Sequence, residues 1–109
     1  MVAAAITPDQ DDEARRVLAR HSTELDEALG KTVLILPSTA GPAPKKWYSA
    51  ERVDAHRRAN FRLTCIAGIT GRPAVSVPLL VTPDGPLGIC VVGPRGSDEA
   101  LIAVAADLA

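Results

Sequence analysis

Apolar residues recur at helical spacing in three stretches of the chain. The first follows Thr7-Pro8-Asp9-Gln10, which combines a threonine N-cap, a proline at the first helical position and a glutamine three residues after the cap. This pattern predicts a helix that ends at Gly30. A second helix is predicted over residues 49–69, and a third begins at Ser97 or Asp98. The apolar positions of the first and third helices are Ala14, Val17, Leu18, Leu25, Ala28, Leu29, Leu101, Ile102, Ala105 and Leu108.

Three shorter stretches are almost continuously apolar. They cover residues 32–36, 74–80 and 87–92, and their length favours strands rather than helices. The segment Thr82-Pro83-Asp84-Gly85-Pro86 is a strong turn signal, so the last two strands are predicted to form an antiparallel hairpin with a five-residue loop. The proline-rich residues 38–46 are predicted to form an irregular loop. Strands without polar alternation are typical of a sheet that is buried on both faces.

These elements predict an α/β fold in one unit that spans residues 1–109. We expect a small mixed sheet of about three strands with about three flanking helices. Apolar residues make up 47% of the chain and aromatic residues only 3%, so the core must be built from small aliphatic side chains. Because three helices are too few to cover both faces of an apolar sheet, the missing cover predicts self-association.

The charge and the apolar runs of the chain exclude two classes of partner. Twelve basic and 13 acidic residues leave a net charge of -1, which attracts neither nucleic acid nor an anionic membrane. No apolar run approaches the ~20 residues needed to cross a bilayer. The opening MVAAAIT has no basic flank and leads directly into an acidic stretch, unlike a signal peptide. A cytoplasmic protein is therefore expected, in which Cys65 and Cys90 stay reduced.

Few residues of the chain carry recognisable chemistry. His21 and His56 lie on separate predicted helices without other ligands at metal-binding spacing, so neither a metal nor any other cofactor is predicted. Ser76 and Cys65 are candidate nucleophiles, but neither has an activating base within a recognisable motif. The arginines of the second helix fit either an anion-binding cluster or, more ordinarily, a solvated face paired with acidic neighbours. These arginines are Arg52, Arg57, Arg58 and Arg62.

The region from Gly71 to Leu108 carries three motifs in order. They are GRPAVSVP, then PLGICVVGP, then Ser97-Asp98-Glu99 at the start of an apolar helix. This arrangement resembles the C-terminal end of the amidase signature family, whose members hydrolyse amides. The resemblance implies that these elements complete a larger mixed sheet and that the segment just before GRPA helps to line the acyl pocket. By this analogy Thr64, Cys65 and Gly68 are candidate substrate-binding residues.

The catalytic motif of that family has no counterpart in the chain. The family's nucleophilic serine lies upstream of this region in a glycine- and serine-rich stretch, and a second serine and a lysine support it. No such stretch occurs here, and the flanks of Lys31, Lys45 and Lys46 do not resemble those of the family's lysine. We therefore assign no catalytic residue.

Two functions are compatible with this sequence. The resemblance implies the C-terminal portion of an amide hydrolase that is inactive alone, because catalysis needs a nucleophile, a base and oxyanion donors. Its partner would be the missing N-terminal amidase portion, or a second copy of the chain. The alternative is a stand-alone, non-catalytic α/β module for binding or assembly, derived from an amidase tail.

Overall fold

A computed structural model describes residues 5–109 as three helices and three strands. In chain order these are α1 (Pro8–Leu29), β1 (Leu34–Pro37), α2 (Ala50–Thr70), β2 (Ala74–Thr82), β3 (Gly85–Val92) and α3 (Asp98–Leu108). The predicted α/β class is confirmed. The expectation about a signal peptide rests in part on residues 1–4, which lie outside this range. Within residues 5–109, every helix is too short or too polar to span a bilayer.

Local signals position the ends of α1 and α2. The Thr7 hydroxyl accepts from the Gln10 amide and the Gln10 side chain accepts from the Thr7 amide, which completes the predicted capping box. Gly30 ends α1 at a φ of 53°. Ser49 caps α2, and Gly71 ends it in the left-handed region at a φ of 66°, where a residue with a Cβ would be strained.

α3 supplies the small hydrophobic core. Ser97 occupies its N-cap position as predicted, but the Ser97 hydroxyl donates to the Pro94 carbonyl at 2.6 Å instead of capping the helix. Asp98 follows at the start of the helix, where its charge stabilises the N-terminal dipole. Leu101 and Ala105 point one turn apart toward the sheet. The buried cluster consists of Val77, Val91, Leu101 and Ala105.

The sheet is antiparallel throughout, so the prediction of a mixed sheet is wrong. The strand order is β1-β3-β2, and β3 pairs antiparallel with both of its neighbours. β1 and β2 therefore run in the same direction, but they do not touch. The physical reason is that the connection through α2 brings β2 back parallel to β1, and the hairpin then inserts β3 between them.

The hairpin between β2 and β3 is tighter than predicted. Thr82 pairs with Gly85, so only Pro83 and Asp84 form the turn and the expected five-residue loop is wrong. The Thr82 hydroxyl donates to the Gly85 carbonyl at 2.8 Å, and Gly85 has a φ of 138°, which favours glycine. These two features allow the ladder to continue to the last residue before the turn.

The elements form two groups that touch only slightly. α1 packs on α2, and α3 packs on β2 and β3, but the contact between the α1–α2 pair and the sheet is small. The sheet is not buried on both faces as expected, because Ile35, Leu80 and Val81 are exposed. The radius of gyration is 16.5 Å, against about 13 Å for a compact domain of this length.

The accessible surface is also too large for an isolated domain. It measures 7926 Å², roughly a third more than the ~5,800 Å² typical of a folded monomer of this mass. The dimensions of 46 × 42 × 19 Å describe a flat slab. The chain therefore folds as a layer whose apolar surface is incompletely covered.

Candidate substrate-binding face

The three candidate substrate-binding residues share one exposed face of α2. Thr64, Cys65 and Gly68 are spaced so that the helical repeat brings them together, and all three are exposed. Phe61 precedes them by one turn on the same face, and 56% of its surface is accessible. We call these four residues the Phe61 face. Sequence reasoning missed Phe61, although its spacing of three, four and seven residues from the others is a helical signal.

The Phe61 face carries no charged side chain of its own. The Cys65 thiol points back to the Arg62 carbonyl, with an S···O distance of 3.6 Å. A Cβ built on Gly68 would meet no atom within 4 Å, so the surface is open at that point. Arg57 lies over the Phe61 ring with 5.5 Å between its guanidinium carbon and the ring centroid. The face is an exposed surface made of an aromatic ring, a hydroxyl, a thiol and a glycine.

Asn60 of α2 anchors the proline-rich loop. The Asn60 side-chain oxygen accepts from the Ala40 amide at 2.7 Å, and the Lys45 ammonium donates to the Asp84 carbonyl at 3.3 Å. The loop thus connects α2 with the turn of the β2–β3 hairpin.

A partly buried ionic cluster connects the end of α2 with α1 and the sheet. We call Asp26, Arg72 and Arg95 the junction cluster. The Arg72 side chain is 5% exposed and donates to the Asp26 carboxylate at 3.2 Å and to the Gly30 carbonyl at 3.0 Å. Arg95 donates to the other Asp26 oxygen and, at 2.6 Å, to the Thr70 carbonyl.

The junction cluster holds the two groups of elements together. Asp26 lies near the end of α1, Arg72 follows α2, and Arg95 lies between β3 and α3. Because apolar contact between the α1–α2 pair and the sheet is slight, these charged hydrogen bonds set the position of the Phe61 face relative to the sheet.

The arginines of α2 behave as a solvated face. Arg58 pairs with Asp54 at 2.9 Å, and the Arg52 guanidinium lies 3.6 Å from the Tyr48 ring centroid. Together with Arg57 over Phe61, three of the four arginines have a partner on their own helix or beside it. This arrangement favours the ordinary interpretation over an anion-binding cluster.

Ser76 is not arranged as a nucleophile. Its hydroxyl lies 2.5 Å from the Ser38 hydroxyl, and the two side chains meet above Gly88 of the middle strand. A Cβ at Gly88 would lie 2.7 Å from the Ser76 oxygen and 2.8 Å from the Ser38 oxygen, so glycine provides the space for this pair. A second serine is not a base, so the pair lacks the activation that nucleophilic catalysis needs.

The two thiols are free and differ in environment. Cys65 is exposed, whereas burial raises the pKa of the Cys90 thiol. Because less thiolate is present at a given pH, we expect iodoacetamide to label Cys90 about tenfold more slowly than Cys65 at pH 7. Mass spectrometry of labelled peptides between pH 7 and 10 checks this, and equal rates at pH 7 would contradict it.

The raised pKa of Cys90 makes the stability of the folded chain depend on pH. A raised pKa means that the folded chain holds the thiol proton more tightly than the unfolded chain. This contribution to stability is present at neutral pH and is lost as the pH rises through the folded-state value.

Metal ligands are not grouped in the described range. Among residues 5–109, no three His, Cys, Asp or Glu side chains lie close enough to hold one ion.

Comparison with known proteins relates this chain to amidases. No family model matches the chain. Amidase 1 of Arabidopsis thaliana is 33% identical over 99 residues, which are 90% of this chain and 23% of that protein. Amidase 1 of Oryza sativa subsp. japonica is 33% identical over 76 residues, 70% of this chain and 18% of that protein. The chain thus spans about a fifth of the length of the curated relatives it matches.

Two solved structures contain the same arrangement of elements. A glutamyl-tRNA(Gln) amidotransferase subunit from Thermotoga maritima superimposes with a TM-score of 0.69 at 27% identity, over 80% of this chain and 19% of that protein. A 6-aminohexanoate cyclic dimer hydrolase superimposes with a TM-score of 0.75 over 94% of this chain and 24% of that enzyme, and at 23% identity it supports the fold alone.

These matches define the class of the chain as an α/β unit with the arrangement of elements found in amidase signature proteins. The chain belongs to the amidase signature family and corresponds to its C-terminal region. The expected family is confirmed.

Proposed function

We propose that this chain is the C-terminal portion of an amide hydrolase and that it has no amidase activity alone. The segment shared with the chain makes up only 23% and 18% of the two relatives. The hydroxyl of Ser76 meets only another serine hydroxyl, and the accessible surface exceeds that of an isolated domain; both observations support this proposal. The remaining amidase portion would supply the nucleophile, the base and the oxyanion donors.

The exposed Phe61 face, which has no charged side chain of its own, supports a role for this chain in binding the acyl group of the substrate. An amide hydrolase must hold the acyl group of its substrate beside the nucleophile. A surface with an aromatic ring at one end, an open glycine at the other and no charged side chain of its own suits an uncharged acyl chain. In this proposal Phe61, Thr64, Cys65 and Gly68 form one side of the acyl pocket, and the rest of the enzyme closes it.

An ammonia-release assay tests the proposal. The chain is assayed alone and after co-expression with the part of Arabidopsis Amidase 1 outside its matched segment, on a panel of aliphatic and aromatic primary amides. We expect turnover only from the co-expressed pair. Ammonia release by the purified chain alone would overturn the proposal. A folded chain that neither binds the Amidase 1 portion nor releases ammonia would favour the stand-alone module.

Substitution of Phe61 tests the pocket wall. We expect Phe61→Ala to lower kcat/KM of the active pair about tenfold, because an apolar contact to the acyl group is lost. Its melting temperature should stay close to that of the unchanged chain, since the ring is exposed. Leu18→Ala, at a similarly exposed apolar position on α1, is the matched control. Equal kcat/KM for the two variants would remove Phe61 from the pocket.

A further inference from the structure

Gly68 lies in the interior of α2 at a position where this fold does not need a glycine. The helix continues to Thr70, and Gly71 is the residue that ends it in the left-handed region. The φ of Gly68 is not positive, and a Cβ built on it would meet no atom within 4 Å. At Gly88, by contrast, such a Cβ would lie 2.7 Å from the Ser76 oxygen. Within residues 5–109, therefore, neither the backbone nor the packing at position 68 requires glycine.

A glycine at this position also weakens the helix. In an exposed helix interior, glycine is less favourable than alanine because it loses more backbone entropy on folding. A glycine in a helix interior that its own chain does not require is explained when another molecule approaches the backbone closely. The open surface at Gly68 thus indicates a contact with something that this chain does not itself supply.

The surroundings of Gly68 favour a small molecule as the source of this contact. Thr23 and Thr70, which also lie in helices, donate their hydroxyls to the carbonyls four residues earlier. The Thr64 hydroxyl makes no such bond within the described part of the chain, so it is available to a ligand. Walls of ligand sites typically combine aromatic and apolar surface with a few hydroxyls. The exposed Phe61 ring, the Thr64 hydroxyl and the bare backbone at Gly68 form such a combination.

The spacing along α2 gives the length of the occupant. A helix rises about 1.5 Å per residue, so Phe61 and Gly68 lie about 10 Å apart along its axis. An acyl group that contacts both residues must be much longer than an acetyl or propionyl group. The Phe61 face has no charged side chain of its own, so it suits an acyl group that is also uncharged.

We propose that Gly68 determines the size of the acyl group that this site accepts. This inference rests on the proposed function. Because position 68 has no side chain, a bulky acyl group can lie directly against the backbone of α2 while its other end reaches the Phe61 ring. A larger residue at position 68 would fill that space and admit only smaller acyl groups. The substrate class is amides with a long, uncharged acyl group that places an apolar or aromatic unit on Phe61.

The test measures substrate selectivity in the active pair. Gly68→Val is co-expressed with the Amidase 1 portion described above, and kcat/KM is measured for propionamide and for 4-phenylbutyramide. Ala55→Val is the matched control, since Ala55 is exposed on the same helix but lies outside the Phe61 face. We expect Gly68→Val to lower the ratio of kcat/KM for 4-phenylbutyramide to that for propionamide at least about tenfold, and Ala55→Val to change it less than about twofold.

Two results of this assay would overturn the inference. The first is an unchanged ratio in Gly68→Val, because a size limit must act on the larger amide more strongly than on the smaller one. The second is loss of co-purification by Gly68→Val but not by Ala55→Val. A segment of the Amidase 1 portion, rather than the acyl group, would then lie against position 68.

Gly68→Ala separates a role in substrate binding from a role in folding. Because alanine is the better helix former and position 68 has room for a Cβ, we expect this variant of the chain alone to melt about 4 °C higher than the unchanged chain. A lower melting temperature would show that the fold itself requires the glycine and would overturn the inference.

Labelling of Cys65 keeps the inference testable without turnover. Cys65 is exposed on the Phe61 face. In the co-purified pair, we expect saturating 4-phenylbutyramide to slow iodoacetamide labelling of Cys65 at least about fivefold, and Gly68→Val to abolish this protection. Protection that depends on Gly68 in a pair that releases no ammonia would support the size limit and reject the proposed catalytic role. Labelling that the amide does not slow in the unchanged pair would overturn the inference, as would failure of the unchanged chain to form the pair.

Discussion

Replacement of Asp26 by alanine is expected to destabilise the chain by about 3 kcal/mol, the lower end of the cost of breaking a buried ion pair. Asp26 accepts hydrogen bonds from Arg72 and Arg95. Without the carboxylate, the Arg72 charge stays buried with only the Gly30 carbonyl as a partner. A change of this size lowers the melting temperature of a domain of about 100 residues by at least ~10 °C.

Thermal melting followed by circular dichroism measures this effect, with Asp11→Ala as the matched control. Asp11 pairs with Arg15 at 2.8 Å on the exposed surface of the same helix, so its loss should change the melting temperature by less than about 2 °C. The double variant Asp26→Leu with Arg72→Met should recover much of the stability, because it removes both charges together. Equal melting temperatures for Asp26→Ala and Asp11→Ala would show that the junction cluster does not hold the two groups of elements together.

Leu101→Ala should destabilise the chain by about 2–5 kcal/mol through a cavity between α3 and the sheet. Leu101 is 2% exposed and, among residues 5–109, belongs to a buried cluster of four residues. A core this small has few other contacts to offset the loss, and the chain contains too little aromatic volume to fill the space. The loss is of the same order as the whole stability of many small domains.

The urea midpoint of unfolding checks the Leu101 prediction. Ile102→Ala is the control, because Ile102 adjoins Leu101 on α3 and is 59% exposed. We expect the midpoint of Leu101→Ala to fall well below that of Ile102→Ala. The opposite order would mean that α3 packs on the sheet through its other side.

Part of the candidate site could be predicted before any coordinates were known. Thr64, Cys65 and Gly68 came from the resemblance to the amidase signature family, and helical periodicity alone brings them onto one face. The same periodicity brings Phe61 onto this face, although the resemblance did not identify Phe61 as a candidate substrate-binding residue. Whether these residues bind substrate stays a prediction, as does the cytoplasmic location.

The junction cluster could not be predicted from the sequence. Asp26 is 46 positions away from Arg72 in the sequence and 69 positions away from Arg95. Each of them, taken alone, has the pattern of an ordinary surface charge. An ion pair between distant segments leaves no local signal, because its partners meet only after the elements have packed.

The helices and turns of this chain are encoded locally. The capping box at Thr7, the glycine at position 30 and the proline turn at residues 83–84 each involve neighbours within four residues, so their energies do not depend on the rest of the fold. The order of the strands, the side of the sheet that α3 covers and the exposure of Ile35 depend on contacts between distant segments. Only the tertiary structure, in which β3 lies between β1 and β2, determines those features. The sequence of an apolar strand does not specify which neighbouring strand it pairs with.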